Sequence, residues 1–319
     1  MKHDVKLLAV GTPMALVEQG LTKQFDLCRE ADTQVRGIAV SGGHQRIDAA
    51  FVAPFPRLEI VSSFGVGYDH IDAAALAARG IVVTHTPDVL TDEVADLCLG
   101  LLIATVRQLP QVDRYLRAGK WLERPYPLTA TLRGRKAGIL GLGRIGKAIA
   151  TRLEACGLEV EYHGRRPQPD VPFRYHPTLV GMATSCNVLI VAASGGTETK
   201  HLVNREVLEA LGPDGIVINI GRGTVIDEQA LVAALRDKKI LSAGLDVFED
   251  EPRVPAELIA MEHVVLLPHV GSASVHTRNA MGQLVVDNLV SWFGGRGAIT
   301  PVPECRALAA SKAPQAGKG

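Results

Sequence analysis

The stretch Lys136-Ala-Gly-Ile-Leu-Gly-Leu-Gly-Arg-Ile-Gly146-Lys-Ala-Ile-Ala-Thr-Arg-Leu-Glu-Ala155 decides the fold. The aliphatic run Lys136–Leu140 passes directly into Gly141-Leu-Gly143-Arg-Ile-Gly146, and a helical pattern follows over Ile145–Ala155. The glycines permit a tight turn and a close backbone approach, and the start of the helix offers N–H groups to a pyrophosphate. Alone, G-x-G-x-x-G is a weak signal. Set between a strand and a helix it predicts a dinucleotide site, with Gly141, Leu142, Gly143, Arg144, Ile145 and Gly146 around the phosphates.

On both sides of this stretch the same alternation of aliphatic run, turn and helix recurs. Runs at Val5–Val10, Val35–Val40, Leu58–Val61 and Ile81–Val83 precede it, and runs at Leu158–Tyr162, Val188–Ala192, Ile216–Ile220, Leu241–Leu245 and Val264–Leu267 follow. Such alternation implies βα units on parallel sheets, and several runs lack polar residues, as expected for strands covered on both faces. The long gap between Val83 and Lys136 reads as a linker, so two α/β domains are expected: 1–89 plus 275–319, and 90–274. The pattern Met281, Leu284, Val285, Leu289, Trp292 predicts a helix over Ser272–Phe293, ended by Gly294-Gly295, that returns the chain to the first domain. From Ala307 the tail is rich in Ala, Lys, Gly and Pro and is expected to fray.

Composition excludes several classes. The 319 residues carry 34 Lys+Arg against 34 Asp+Glu, so there is no basic surplus of the kind a nucleic-acid binder needs. The most apolar window, Val94–Val106, contains Asp96 and is shorter than the roughly 20 residues that span a bilayer. It reads as a buried helix, and no membrane association is expected. Cysteines at 28, 98, 156, 186 and 305 form no C-x-x-C pair, and the start of the chain has no continuous apolar h-region, so a reducing, cytoplasmic setting is expected. No histidine pair has metal-ligand spacing, and no metal is implied.

An NAD enzyme carries an acidic residue about 20 positions after the first glycine, at the end of the second strand, to hold the ribose 2′-hydroxyl. Two positions compete. Glu161 has the spacing but sits inside its strand, whereas the strand exit reads His163-Gly164-Arg165-Arg166. Paired guanidiniums bind a 2′-phosphate that a carboxylate would repel. NADP is therefore expected as the preferred cofactor, with NAD possible, unless the two arginines are only a solvated surface pair.

Three polar groups follow successive strands: Arg222 in Asn219-Ile-Gly-Arg-Gly223, Glu251 in Asp246-Val-Phe-Glu-Asp-Glu-Pro252, and His269 in Leu267-Pro-His-Val-Gly271. Strand carboxyl ends border the ligand crevice of an open α/β sheet. Hydride reduction of a carbonyl needs a cation for the substrate carboxylate, a proton donor for the forming alkoxide, and an anion that keeps the donor charged. Arg222, His269 and Glu251 suit those roles in that order. On spacing alone, a structural Glu251–His269 ion pair with Arg222 capping a turn is the competing reading.

Together, Gly141–Gly146, Asn219-Ile-Gly-Arg-Gly-Thr-Val-Ile-Asp227, Ala243-Gly-Leu-Asp-Val-Phe-Glu-Asp-Glu-Pro252, Leu266-Leu-Pro-His-Val-Gly-Ser272, Val61-Ser-Ser-Phe-Gly-Val-Gly-Tyr-Asp-His-Ile-Asp72 and Leu90-Thr-Asp-Glu-Val-Ala-Asp-Leu97 resemble the D-2-hydroxyacid dehydrogenases. The resemblance extends to about Pro303 and is nearest to the glyoxylate/hydroxypyruvate and hydroxyphenylpyruvate reductases. It implies two Rossmann-like doubly wound domains with the active site in the cleft between them. It also implies a homodimer, with the Val94–Val106 helix and its extension to Trp121 in the dimer contact. By resemblance, Arg222 binds a small-molecule 2-oxo acid, His269 donates the proton and Glu251 pairs with it. Asp246 orients the nicotinamide carboxamide, Val66 and Gly67 hold the substrate carboxylate, and Ile220, Gly221, His269 and Gly271 border the cofactor. Gly164 stands where the reductases commonly have Ser, which removes one phosphate donor. Phe64, Tyr68 and the Ser41-Gly42-Gly43 turn are candidates to line the substrate pocket, and the sequence does not rank glyoxylate, hydroxypyruvate and arylpyruvates. The alternative from another class is a dinucleotide-sensing corepressor, which would carry a long tail or basic extension.

Overall fold

In the computed structural model, residues 4–42 and 45–312 are described; Gly43, named above for the substrate pocket, and the tail from 313 lie outside them. In chain order the strands are β1 (Lys6–Val10), β2 (Asp26–Cys28), β3 (Val35–Ser41), β4 (Ile60–Phe64), β5 (Val82–Thr84), β6 (Lys136–Leu140), β7 (Glu159–His163), β8 (Arg174–His176), β9 (Val188–Val191), β10 (Ile216–Asn219), β11 (Ser242–Leu245) and β12 (Val265–Leu266). They form two parallel sheets, ordered β2-β1-β3-β4-β5 and β12-β11-β10-β9-β6-β7-β8. Each expected aliphatic run is a strand, and β2 and β8 are added as edge strands.

Both orders are doubly wound. The second starts in the middle at β6, runs outward to β8, then returns to β9 and runs the other way, which places the loops after β6 and β9 at the point where the order reverses. The first reverses between β1 and β3. By its internal packing the chain divides into one unit of the residues up to Leu90 with those from Ser274 onward, and a second unit of Thr91–Ala273.

In the second unit β9, β10 and β11 are buried along their whole length, which is why their sequences show no alternation. The first part of the stretch read as a linker is core, whereas none of residues 107–135 is buried. The helix Thr91–Val106 buries Val94, Ala95, Cys98, Leu101, Leu102, Thr105 and Val106. It lies so close to β11 that a Cβ on Gly244 would stand 2.5 Å from Thr105 Oγ1 and 2.9 Å from Leu101 Cγ. Arg152 of the helix Arg144–Ala155 ties it further, donating to Asp96 at 2.6 Å and to Asp92 at 3.1 Å.

In the first unit the helix Val275–Phe293 starts at the Ser274 cap, whose hydroxyl accepts from Thr277 N–H, and supplies Val285, Val286, Leu289 and Trp292 to the core. The expected fraying from Ala307 is not found within the described residues. Arg306–Lys312 is helical because Ala309 is buried and Leu308 packs on the same core, next to the buried Cys305. Among the described residues no helix is long and apolar enough to cross a membrane.

Candidate active site

The phosphate loop joins β6 to the helix Arg144–Ala155, and its glycines do different work. Gly141 has φ +96, and a Cβ there would lie 2.8 Å from the backbone nitrogen of Ala193, in the loop after β9. A Cβ on Gly146 would press to 2.3 Å from the carbonyl oxygen of Gly141, so only glycine lets the helix sit this close to the strand exit. Gly143 is the opposite case: it is exposed, and a Cβ there would meet nothing within 4 Å. As N-cap, Gly143 supplies no side-chain acceptor, whereas Asp227, Asn204 and Thr178 fill that role at other helices of this unit. An open cradle at the start of a helix, with no competing oxygen from the cap, fits a pyrophosphate.

Strand β7 ends at His163, and Gly164, Arg165 and Arg166 follow in a turn with both arginines exposed. The Glu161 alternative fails on geometry. Its side chain is 1% exposed, and it is bonded to His176 Nε2 and to the Ser185 hydroxyl instead of reaching the strand end. Burial alone would push this carboxyl up, but the Ser185 and His176 hydrogen bonds outweigh it and hold Glu161 below the usual carboxylate range. Among the described residues, therefore, no carboxylate stands at the end of β7, where an NAD enzyme places one.

The polar trio follows β10, β11 and β12. Asn219, buried at the end of β10, folds the next turn with its amide: Oδ1 accepts from Gly221 N–H at 3.1 Å and Nδ2 donates to Arg222 O at 3.0 Å. Behind Arg222 a Cβ on Gly223 would overlap Phe248, at 1.8 Å from its carbonyl carbon, so this turn packs directly against the loop that carries Glu251. Glu251 Oε1 accepts from Phe248 N–H at 3.1 Å, and Oε2 accepts from His269 Nδ1 at 2.7 Å. That bond leaves Nε2 as the imidazole's other face, and the His269 side chain is 47% exposed. Burial pushes the Glu251 carboxyl up, but the His269 hydrogen bond, the Phe248 N–H and the charges of His269 and Arg222 prevail and keep it below its usual range.

Asp246 holds the third corner in place. Its carboxylate, 1% exposed, accepts from Val270 N–H at 2.7 Å and from Gly271 N–H at 2.8 Å, while its carbonyl accepts from His269 N–H at 2.9 Å. These bonds support His269 in a left-handed backbone conformation, φ +53, that a non-glycine residue adopts only under constraint. Burial raises the Asp246 carboxyl against the pull of its two N–H donors. The sequence pointed to Asp246 for the cofactor alone; its grip on the His269 loop is a tertiary feature without a local signal.

In the first unit the Gly65–Tyr68 loop after β4 is pinned by its own neighbours. Thr86 Oγ1 accepts from Gly65 N–H at 3.0 Å, and His85 Nδ1 donates to Val66 O at 3.0 Å. Tyr68 sets its ring edge-on to His85 and hydrogen bonds to Glu304 at 3.1 Å; burial, then the Glu304 charge, push its phenol up to about 12. The Phe64 ring carries the Arg278 guanidinium at 5.5 Å.

A glycine loop that opens a helix, an exposed arginine pair at the end of the next strand and a carboxylate–imidazole couple in one doubly wound unit have the make-up of a dinucleotide-dependent oxidoreductase site. Residues 99–271 match the family described as D-isomer specific 2-hydroxyacid dehydrogenase, NAD binding domain, and the chain belongs to the D-2-hydroxyacid dehydrogenases. It is 46% identical to glyoxylate/hydroxypyruvate reductase A of Arabidopsis thaliana, over 94% of this chain and 99% of that one. It is 44% identical to hydroxyphenylpyruvate reductase of Plectranthus scutellarioides, over 90% and 95%. Among solved structures, the NADPH-dependent glyoxylate/hydroxypyruvate reductase of Sinorhizobium meliloti, in complex with NADP and malonate, superposes with a TM-score of 0.89 at 50% identity, covering 94% of this chain and 97% of that one.

Proposed function

We propose that the protein reduces a small 2-oxo acid, in the class of glyoxylate, hydroxypyruvate and arylpyruvates, to the D-2-hydroxy acid, with NADPH preferred and NADH accepted. The observation that carries this reading is the 2.7 Å contact between His269 Nδ1 and Glu251 Oε2 at the strand ends, in the same unit as the phosphate loop. The names of the relatives support the substrate class and the cofactor. They do not favour a sensor without turnover.

The Thr91–Ala273 unit takes the cofactor, and the unit up to Leu90 with the chain from Ser274 takes the substrate. The start of the Arg144–Ala155 helix, with Gly141–Gly146, binds the pyrophosphate, Arg165 and Arg166 the 2′-phosphate, and Ile220, Gly221, Asp246 and Gly271 the nicotinamide half. When bound, the reduced nicotinamide supplies the hydride. Arg222 pairs with the substrate's carboxylate and oxo group through its planar fork, and the Val66–Gly67 backbone takes the carboxylate. His269 Nε2 delivers a proton to the oxygen as it becomes an alkoxide. Glu251, anionic through the neutral range, stabilises the imidazolium that makes this transfer possible.

The five cysteines are all free thiols, which supports a reducing cytoplasm. A homodimer is supported by the apolar side chains that the Leu109–Arg117 helix and the following segment leave exposed: Leu116, Trp121, Leu122 and Leu128. Initial rates with glyoxylate, hydroxypyruvate and phenylpyruvate, each against NADPH and NADH, test the proposal. NADPH turnover of at least one acid is expected; turnover of none overturns the reading, and faster turnover with NADH overturns its cofactor assignment.

A further inference from the structure

The turn that carries Arg165 and Arg166 is fastened at both ends, and on each side one fastening leads to the phosphate loop. At its entry, Gly141 N–H donates to His163 O at 3.0 Å and the Tyr175 hydroxyl donates to Gly164 O at 3.2 Å. At its exit stands Gln168, between Pro167 and Pro169. Prolines have no N–H, so Gln168 is the one backbone donor of that tripeptide. It donates to the Tyr162 hydroxyl at 2.7 Å, and Tyr162 is itself 1% exposed and therefore fixed. The Gln168 side chain then reaches across to the phosphate loop, where Nε2 donates to Leu142 O at 2.8 Å. Tyr175 packs its ring on Tyr162, with centroids 5.4 Å apart, and stacks on His163 at 19° between planes. His163 is held in turn, its Nδ1 donating to His176 O at 2.7 Å.

We propose that Gln168 and Tyr175 are positioning residues for cofactor discrimination: Gln168 ties the exit of the arginine turn to the phosphate loop and Tyr175 fixes its entry, which together hold the turn at the separation that a 2′-phosphorylated dinucleotide requires. The 2′-phosphate and the pyrophosphate hang from one ribose, so their spacing is set by covalent bonds that the protein must match. Long exposed arginines lose side-chain freedom when they bind, and a turn already held in place keeps backbone ordering out of that cost. NADH has no 2′-phosphate and draws no benefit from a fixed arginine turn. The clamp therefore acts on the ratio between the two cofactors, where a merely structural contact would weaken both together.

This inference rests on the NADPH reading above, and the test separates the two. Dissociation constants for NADPH and NADH are measured by titration on the full chain for wild type, Gln168→Leu, Tyr175→Phe and the double variant Arg165→Ala/Arg166→Ala, with thermal midpoints recorded in parallel. Tyr175→Phe keeps the ring packing and removes only the hydroxyl, so it remains informative if Gln168→Leu folds poorly. In both clamp variants the NADPH constant is expected to rise about threefold to tenfold, the reach of one neutral hydrogen bond, with the NADH constant moving less than about twofold. An unchanged NADPH-to-NADH ratio in both, whether through parallel weakening or no effect, overturns the clamp while an arginine variant that loses its preference leaves the cofactor reading standing. A wild type that binds NADH at least as tightly as NADPH, with the arginine variant unaltered, overturns the cofactor reading and the clamp with it.

Discussion

At His269 one imidazole is asked to be both a rigid fixture and a proton source, and the groups around it divide that labour. Asp246 fixes its backbone, and Glu251 fixes its ring. His269→Asn preserves an amide at the Nδ1 position but has no transferable proton, so the reductive kcat should fall by about two to four decades, the span of general-acid catalysis, with cofactor affinity kept. Steady-state and binding measurements on the same preparation check this, and activity within about threefold of wild type would remove His269 from the chemistry. Glu251→Gln acts on the pH axis. The carboxyl is held below its usual range and is an anion at neutral pH, favouring the protonated imidazole. Without it the cation loses its partner, and the alkaline limb of the reductive profile should move to lower pH; a limb that stays put would leave Glu251 a structural ion-pair partner. These residues were readable in the sequence because each stands a few positions past an aliphatic run, in a motif with its own spacing. Gln168 was not, because its significance arises only when the chain has folded Leu142 to within 2.8 Å of its amide.

Between β6 and its helix the same residue type meets two opposite environments, which lets stability and binding be separated by substitution. Gly146→Ala must displace the Gly141 carbonyl, 2.3 Å from the added carbon, and should destabilise the protein by about 1–3 kcal/mol, as overpacking does, while weakening both cofactors. Gly143→Ala has open space and an extended backbone, φ −80 and ψ −162, so its thermal midpoint should stay near wild type. Its methyl group nevertheless enters the cradle where the pyrophosphate is proposed to sit, so both cofactors should bind at least about tenfold more weakly, the equivalent of 1.4 kcal/mol. Thermal melts beside cofactor titrations distinguish the pair, and full affinity in Gly143→Ala would move the pyrophosphate elsewhere. At this scale aliphatic runs announced ten of the twelve strands of the described residues. Two of the four edge strands were silent: Asp26-Leu-Cys28 and Arg174-Tyr-His176 are three residues each and have no apolar run, and they pair only because β1 and β7 present them with an open edge.

For the whole molecule the proposed homodimer is open to a direct test at the apolar arm, where Leu122 is 95% exposed and Trp121 67%. Burying each such side chain contributes about 1.5–3 kcal/mol, so Trp121→Glu/Leu122→Asp should shift a dimeric wild type toward monomer in light scattering at micromolar concentration. A wild type that is already monomeric there would dismiss the arm as an interface. The discontinuity of the first unit has a consequence of a different kind, for biosynthesis. Its opening segment leaves the ribosome without the Val275–Phe293 helix, whose Val285, Leu289 and Trp292 belong to its core. The continuous Thr91–Ala273 segment is translated in the interval and has every residue of its own core before that helix exists. At roughly 5–20 residues per second, the nascent β1–β5 region spends ten seconds or more without its closing helix, its apolar surface exposed to chaperones and to other nascent chains. The order in which the two cores can be completed therefore follows the order of the chain: every core residue of the second unit is made before the Val275–Phe293 helix that completes the core of the first.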